Sequence, residues 1–195
     1  MNKIFYLAFA FVCITTSISA QTSSGSMMLG GGLNFSSTSF QNGSSGGSGV
    51  TFSPGFGYFI SDNLAVGTSL TLSSSRTGTG ANKSTSSSFG LGPFVRYYIF
   101  TSNESFGFFG QGQISFASGK TDPAVGGITK SNSFAISIFP GAAYFFNEHW
   151  ALELAINGFI FSTNDPNTSN DNDKYSNVQI DLNSLFPNFG VRYHF

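Results

Sequence analysis

Apolar and polar residues alternate along most of this chain, most clearly in its final segment, Phe189–Phe195. Every odd position there is apolar or aromatic, and the even positions carry Gly, Arg and His. A period of two is typical of a β-strand with one apolar face. Because this strand runs to the last residue, we expect it to pair with the first strand and remove the open edge of the sheet.

The same alternation predicts eight strands, each with about the ten residues that a tilted membrane strand needs. They are expected near Ser26–Ser36, then at Val50–Ile60, Leu64–Ser73, Phe89–Phe100, Phe106–Ala117, Phe134–Phe146, Trp150–Phe161, and in a last strand that ends at Phe195. The start of the last strand is open, because Val178 and Ile180 are out of phase with Phe189 and Val191. A bulge near Asn183–Ser184 would reconcile the two phases.

The predicted connections alternate between short and long. Short turns are expected at Ser61–Asn63, Thr101–Ser105 and Asn147–His149. Long loops rich in Ser, Gly, Thr, Asn and Asp are expected at Ser37–Gly49, Ser74–Ser88, Ser118–Asn132 and Ser162–Asn177. Short turns on one side and long polar loops on the other are typical of an antiparallel up-and-down transmembrane β-barrel threaded from the periplasm.

Composition and charge exclude several other classes of protein. Charged residues make up 9% of the chain, against roughly 25% in soluble domains. The formal net charge is −1, and −2 once Lys3 is lost with the expected signal, so we expect no nucleic-acid partner. Beyond that signal, no stretch of about 18 apolar residues predicts a transmembrane helix.

The N-terminus has the pattern of a secretory signal peptide. Lys3 supplies a positive charge, Ile4–Ile14 is apolar, and Ser19 and Ala20 are small residues at a suitable cleavage position. We therefore expect residues 1–20 to be a cleaved signal peptide and residues 21–195 to form one barrel domain.

A short motif recurs at one spacing. Its copies are Pro54…Tyr58-Phe59-Ile60, Pro93…Tyr97-Tyr98-Ile99 and Pro140…Tyr144-Phe145-Phe146, with a looser copy at Pro187…Val191-Arg192-Tyr193. Proline in a paired strand removes a ladder hydrogen bond, so we expect local bulges at these prolines. The tyrosines and Trp150 are expected to form an aromatic belt at the periplasmic interface. The alternative is that they are ordinary core aromatics.

The repeated motif, notably the sequence GPFVRYY at Gly92–Tyr98, and the ending VRYHF at Val191–Phe195 resemble the small outer-membrane β-barrel domain family, relatives of the OmpA/OmpX type. The resemblance covers nearly the whole mature chain. It implies an eight-stranded barrel in the bacterial outer membrane, surrounded by outer-membrane lipid. It also implies that the barrel-assembly machinery recognises the last strand through Tyr193 and Phe195. It implies no single activity, because the family is functionally diverse.

Three charged residues occupy the polar face of their predicted strands. Arg96, Glu153 and Arg192 each lie a few residues from the expected periplasmic end. Eight strands enclose an interior about wide enough for side chains to fill. We predict that Glu153 pairs with Arg192 and that Arg96 approaches from across the barrel. Gln111 or Gln113 is expected to fill the remaining space beside them. The role of this cluster would be structural; the alternative is that each group is hydrated separately.

Nothing in the sequence predicts catalysis, a cofactor or a metal. Both histidines, His149 and His194, are expected at the periplasmic end, without a nucleophile and a carboxylate at a suggestive spacing. The segment Asp165–Asp173 offers oxygen ligands, but it lacks the glycine and glutamate of an EF-hand loop. We interpret it as a solvated loop and leave open whether it binds a cation.

These patterns lead to a functional hypothesis. We expect a monomer with a filled lumen and a structural or surface-interaction role through four long extracellular loops, whose ligand the sequence does not identify. One alternative is a channel for small or hydrophobic solutes, which the large inward residues Phe94, Tyr98, Phe109 and Phe139 argue against. Another is a secreted soluble barrel that binds a lipophilic ligand.

Overall fold

The computed structural model describes residues 22–39, 46–78, 82–102, 105–156, 158–169, 173–180 and 188–195. The expected signal peptide, Asn183–Ser184 and Pro187 therefore lie outside the described residues. Within these ranges there are ten strand segments: β1 Met27–Thr38, β2 Gly47–Ser61, β3 Leu64–Thr77, β4 Ser84–Phe100, β5 Phe106–Asp122, β6 Thr129–Phe145, β7 Trp150–Ala155, β8 Phe159–Asp165, β9 Tyr175–Ile180 and β10 Asn188–His194. No helix within these ranges is long and apolar enough to cross a membrane.

The segments form one closed antiparallel sheet, as predicted. Consecutive strands pair with each other from β1 to β7, and β7 also pairs with β10. The ring closes where β1 pairs with β10, with Met28 opposite His194 and Gly31 opposite Val191. The backbones of Met27 and Phe195 exchange hydrogen bonds of 2.7 and 2.9 Å at this junction. Since β7 and β8 make one spanning strand, and β9 and β10 another, the barrel has eight strands.

A bulge interrupts the seventh strand opposite Pro140. Among the described prolines of the repeat, Pro140 alone has a bulge beside it. From Ala155 to Phe159 the chain advances by four residues, whereas their partners on β6, Gly141 and Ile138, are three residues apart. Pro140 lies in that interval of β6, and its carbonyl accepts a hydrogen bond of 3.1 Å from the Ile156 amide. Proline has no amide proton to give to the neighbouring strand, and the extra residue accommodates that loss.

The bulges expected at Pro54 and Pro93 do not occur, so that part of the prediction was wrong. On one side of each proline the ladder is continuous, with Pro54 opposite Gly31 and Pro93 opposite Thr68. On the other side two pairs are missing, but the register is the same before and after the gap. Omission of a hydrogen-bonded pair is therefore enough to accommodate these prolines, and no extra residue is needed.

The last strand changes phase, as the sequence indicated. In β9 the inward positions are odd, since Gln179 pairs with Ile160, which in turn pairs with the buried Ser137. In β10 the inward positions are even, since Gly190 pairs with the buried Glu153. The phase therefore changes between residues 180 and 188, and the bulge predicted near Asn183–Ser184 falls outside the described residues.

The apolar face of each strand points outward. Val95, Leu152 and Val191 are 47, 42 and 50% exposed, whereas Arg96 and Glu153 are each 4% exposed. Along β4 the outward apolar positions run from Phe89 to Ile99. At a rise of about 3.3 Å per residue and a tilt of about 40°, they cover about 25 Å, the height of the apolar band of an outer-membrane barrel.

Short connections lie at one end of the barrel, at residues 62–63, 101–105 and 146–149, which we call the short-turn end. The opposite end, called the polar end, carries the connections 39–46, 78–83, 123–128 and 166–174. These are shorter than the predicted loops, because the strands continue into the Ser- and Thr-rich stretches. Hydroxyls there pair across neighbouring strands, at 2.6 Å between Ser73 and Ser88 and at 2.9 Å between Ser86 and Thr121. A stretch rich in Ser and Thr, a composition common in loops, can therefore still form part of a β-ladder.

Candidate functional site

Three charged side chains meet inside the barrel near the short-turn end. Arg96 comes from β4, Glu153 from β7 and Arg192 from β10, each at an inward position. Nη1 of Arg96 lies 2.6 Å from Oε1 of Glu153, and Nε of Arg192 lies 2.9 Å from the same oxygen. The structure therefore brings together all three residues of the predicted charge cluster, with Arg96 reaching Glu153 across the lumen.

Further contacts hold the guanidinium of Arg96 in place. Its Nε donates to Oε1 of Gln111 at 2.9 Å, and its Cζ atom lies 4.1 Å from the ring centroid of Phe109. The hydroxyl of Tyr98 accepts from Nη1 of Arg96 at 2.9 Å and donates to Oε1 of Glu153 at 3.0 Å. Sequence reasoning treated Tyr98 only as inward bulk and did not find this polar role.

A polar ladder continues from the charge cluster towards the polar end. Gln111 donates to Gln113 at 2.9 Å, and Gln113 donates to Ser115 at 2.9 Å and to Ser69 at 3.3 Å. Residues two apart in a strand share a face, so three successive inward positions of β5 form one hydrogen-bonded row. Both glutamines, and not just one, support the cluster.

Towards the short-turn end lies a layer of buried side chains, all of them aromatic except that of Met28. The residues buried there are Met28, Phe59, Tyr98, Phe109, Phe145 and His194. The ring of His194 lies 5.0 Å from that of Phe145 and 5.8 Å from that of Phe59. We call this set the aromatic layer. The charge cluster contacts this layer at Tyr98, which bonds to Arg96 and Glu153, and at Phe109, whose ring lies against the Arg96 guanidinium.

The repeated motif explains how the aromatic layer forms. Its middle residue is Phe59, Tyr98 or Phe145 in the three clear copies, and each is buried in the layer. The preceding residue of each copy is a tyrosine that points outward. Each copy therefore supplies one ring to the lumen and one to the outer surface. Sequence analysis missed the inward rings of Phe59 and Phe145, although strand alternation after an outward tyrosine could have indicated them.

The outward tyrosines form the belt that was predicted. Tyr58, Tyr97, Tyr144 and Trp150 are exposed on the outer face near the short-turn end. Tyr193 lies beside Trp150, with ring centroids 4.9 Å apart, and stacks on Phe195 at 5.8 Å. These side chains are not core aromatics, so the alternative interpretation was wrong.

The remaining candidate residues lie at the two ends. His149 lies at the short-turn end, with Nδ1 2.9 Å from the carbonyl oxygen of His194. At the polar end, Asp165 contacts Lys174 at 3.7 Å and accepts a hydrogen bond of 3.2 Å from the amide of Asn167. Residues 170–172 of that predicted loop lie outside the described residues. Among the residues that are described, no group of three His, Cys, Asp or Glu side chains could hold a metal ion.

Comparison with known families identifies the class of protein. Residues 6–186 match the family described as "Outer membrane protein beta-barrel domain". The chain belongs to this family. It is an outer-membrane β-barrel protein, and the bilayer around its apolar band is that of the bacterial outer membrane. No curated protein sequence matches this one.

Several solved structures resemble the barrel at low sequence identity. The N-terminal β-barrel domain of OprF from Pseudomonas aeruginosa is 10% identical with a TM-score of 0.47, covering 88% of this chain and 98% of that one. Neisserial surface protein A (NspA) is 16% identical with a TM-score of 0.48, and the match covers 88% of this chain and 98% of that one. OprG from Pseudomonas aeruginosa is 15% identical with a TM-score of 0.48, covering 91 and 99%.

Proposed function

We propose that this protein is a monomeric, non-conducting barrel with a filled lumen. Its role is structural, or it interacts at the cell surface through the polar connections between its strands. The observation that carries the proposal is the pair of stacked layers near the short-turn end. The charge cluster lies directly against the aromatic layer, and Tyr98 links the two through hydrogen bonds to Arg96 and Glu153.

The size of the barrel supports this interpretation. An eight-stranded barrel encloses an interior about wide enough for side chains to fill. Met28, Phe59, Tyr98 and His194 are almost completely buried, so the aromatic layer offers water no accessible surface at these side chains. A conducting pore would need a continuous aqueous path past both layers.

A channel for small or hydrophobic solutes is the second candidate. In its favour, a cavity of about 270 Å³ lies in the polar half of the barrel, lined by Ser88, Ser133, Asn164 and Tyr175 among others. The cavity does not include residues of the aromatic layer. Solutes entering it would meet the charge cluster and that layer before they reached the short-turn end.

Conductance across a planar lipid bilayer tests the proposal. We expect the reconstituted wild-type protein to be electrically silent. The variant Phe59→Ala/Tyr98→Ala/Arg96→Ala/Glu153→Ala removes side chains from both layers and should produce small stepwise openings, which would show that inserted protein is detected. Stepwise openings of the wild type would overturn the filled lumen and favour the channel.

We also propose that Tyr193 and Phe195 form the C-terminal signal for the barrel-assembly machinery. Both lie on the outer face of the closing strand. Phe195→Ser should lower the amount of protein in the outer membrane of cells, yet the purified variant should refold in detergent like the wild type. Phe189→Ser is the matched control, because Phe189 is another exposed phenylalanine of β10. Equal outer-membrane levels for both variants would contradict this role.

Neither a catalytic activity nor a cofactor is part of this proposal. At the short-turn end, the Nδ1 atom of His149 lies within hydrogen-bond distance of the backbone carbonyl oxygen of His194. That arrangement fixes a ring against a backbone carbonyl and positions no nucleophile.

A further inference from the structure

Two lysines lie directly opposite each other on the outer wall at the polar end. Lys120 of β5 pairs with Lys130 of β6. Both are exposed and share the outward phase of Phe116 and Phe134. Side chains directly opposite in an antiparallel pair have Cβ atoms about 5 Å apart, and like charges there are destabilising. Neither lysine forms an ion pair with any other described residue.

The depth of the two lysines matches the headgroup region of a bilayer. The rings of Phe116 and Phe134, 5.3 Å apart, lie four residues closer to the apolar band on the same two strands. Four residues of a tilted strand rise by about 10 Å. Headgroups occupy roughly the 5 to 8 Å beyond the hydrocarbon core, and a long lysine side chain can reach back to that level.

A groove on the outer wall joins the lysines to the apolar band. It has a volume of about 500 Å³ and is lined by Ser87, Phe89, Ser118, Lys120 and Lys130, with backbone from neighbouring residues. An apolar ring at one end, hydroxyls in the middle and two ammonium groups at the other end match the order of groups in a phosphorylated lipid. The acyl part would contact Phe89, and the phosphate would lie between the ammonium groups.

A neighbouring part of the wall repeats this order. A second groove, of about 520 Å³, is lined by Phe35, Val50, Ser74 and Arg76 among others. It again runs from apolar side chains through a hydroxyl to a cation. The nearest acidic residue on β5, Asp122, follows Lys120 on the outward face but does not line the first groove.

We propose that the groove at Lys120 and Lys130 binds an outer-leaflet lipid whose headgroup carries phosphate. The lipid phosphate would lie between two like charges that form no ion pair with any other described residue, and the acyl chains would continue along the band that already contacts hydrocarbon. A free phosphate ion would use the ammonium groups but not Phe89. The site is independent of the lumen and of whether the barrel conducts.

Native mass spectrometry of the full chain, folded in a zwitterionic detergent, tests the proposal with diphosphoryl lipid A as the probe. Lys120→Gln/Lys130→Gln should raise the apparent Kd by about thirtyfold at low salt, since each basic residue near an anionic lipid surface contributes about fivefold. The matched control is Lys83→Gln/Lys174→Gln, which removes the same charge at the polar end. It should change the Kd by less than about twofold. Phosphatidylcholine and inorganic phosphate should not be retained by the wild type.

The proposal is overturned if the groove variant binds diphosphoryl lipid A as tightly as the wild type, or if both double variants weaken binding equally. The second result would indicate a general effect of net charge. Retention of inorganic phosphate as strongly as lipid A would also overturn it, because the apolar part of the groove would then contribute nothing. All four lysines lie in exposed positions, so the variants should fold, which heat-modifiable gel migration can verify.

Discussion

Removal of the Glu153 carboxylate should destabilise the barrel strongly. Oε1 of this residue accepts from Arg96 at 2.6 Å, from Arg192 at 2.9 Å and from Tyr98 at 3.0 Å. Glu153→Leu would leave two cations in the lumen without their carboxylate. The Arg96 side chain is only 5% exposed, so little solvent reaches its charge.

The expected loss in free energy of unfolding is about 3–5 kcal/mol, the usual cost of removing one partner of a buried ion pair. The Arg192 side chain is 13% exposed, so part of its charge is screened and we do not add a second full penalty. Urea unfolding of protein reconstituted in lipid vesicles measures the loss, with Trp150 as the fluorescent reporter. Glu148→Leu removes the same charge from an exposed turn and should change the free energy by less than about 0.5 kcal/mol.

A second variant separates the ion pair from simple loss of packing. Arg96→Met/Glu153→Leu removes the buried cation together with the anion, so it should be at least about 1 kcal/mol more stable than Glu153→Leu alone. The reasoning is refuted if Glu153→Leu unfolds at the same urea concentration as Glu148→Leu. It is also refuted if the double variant loses as much stability as the single variants Glu153→Leu and Arg96→Met, each measured separately, lose together.

Three further predictions concern the lumen and the outer face. Tyr98→Phe deletes a hydroxyl that bonds to charged groups, which should cost about 1.5–3 kcal/mol in the same assay. Gly67→Ala should cost about 1–3 kcal/mol by overpacking, because a Cβ there would lie 2.8 Å from Cα of Gly57; Gly110→Ala, which meets nothing within 4 Å, should be nearly neutral. Val95→Lys should cost about 2–4 kcal/mol, because it exposes a charge to the middle of the bilayer; an unchanged stability would contradict the lipid-facing assignment.

Much of the architecture could be predicted from the sequence, because strict alternation determines which face each residue occupies. In a membrane barrel the apolar face points outward, so the inward positions follow once lipid is assumed. The same phase, combined with distance from the short turns, brings Arg96, Glu153 and Arg192 to one level of the lumen. Their contacts at 2.6 and 2.9 Å are the result.

The ends of the strands could not be predicted from composition. Serine and threonine are common in both loops and exposed strands, and local turn chemistry favours the loop interpretation. These residues continue the strand because the neighbouring strand supplies hydrogen-bond partners, such as Ser88 for Ser73. The position of the bulge was equally hidden, because it depends on how a proline fits against both neighbours. Pro140 requires an extra residue opposite it, and Pro54 does not.

The inner residues of the repeat were also missed in part. Each outward tyrosine of the repeat is followed by an inward ring, such as Phe59 or Phe145, and the predicted aromatic belt did not include these inward rings. Alternation alone predicts this placement. Which rings touch could not be deduced, because the distances across the lumen depend on the tilt and stagger of the closed barrel.

The central claim is that the apolar face of the strands contacts lipid and the polar face lines the lumen. Spin labels at Val95→Cys and Ser115→Cys, each introduced into the reconstituted protein, test it through collision rates with oxygen and with a water-soluble nickel chelate. The only native cysteine, Cys13, lies in the expected signal peptide. We predict that the label at residue 95 collides preferentially with oxygen, which concentrates in hydrocarbon, and that the label at residue 115 does not. The reverse pattern, with residue 95 shielded from oxygen and residue 115 exposed to it, would contradict the account.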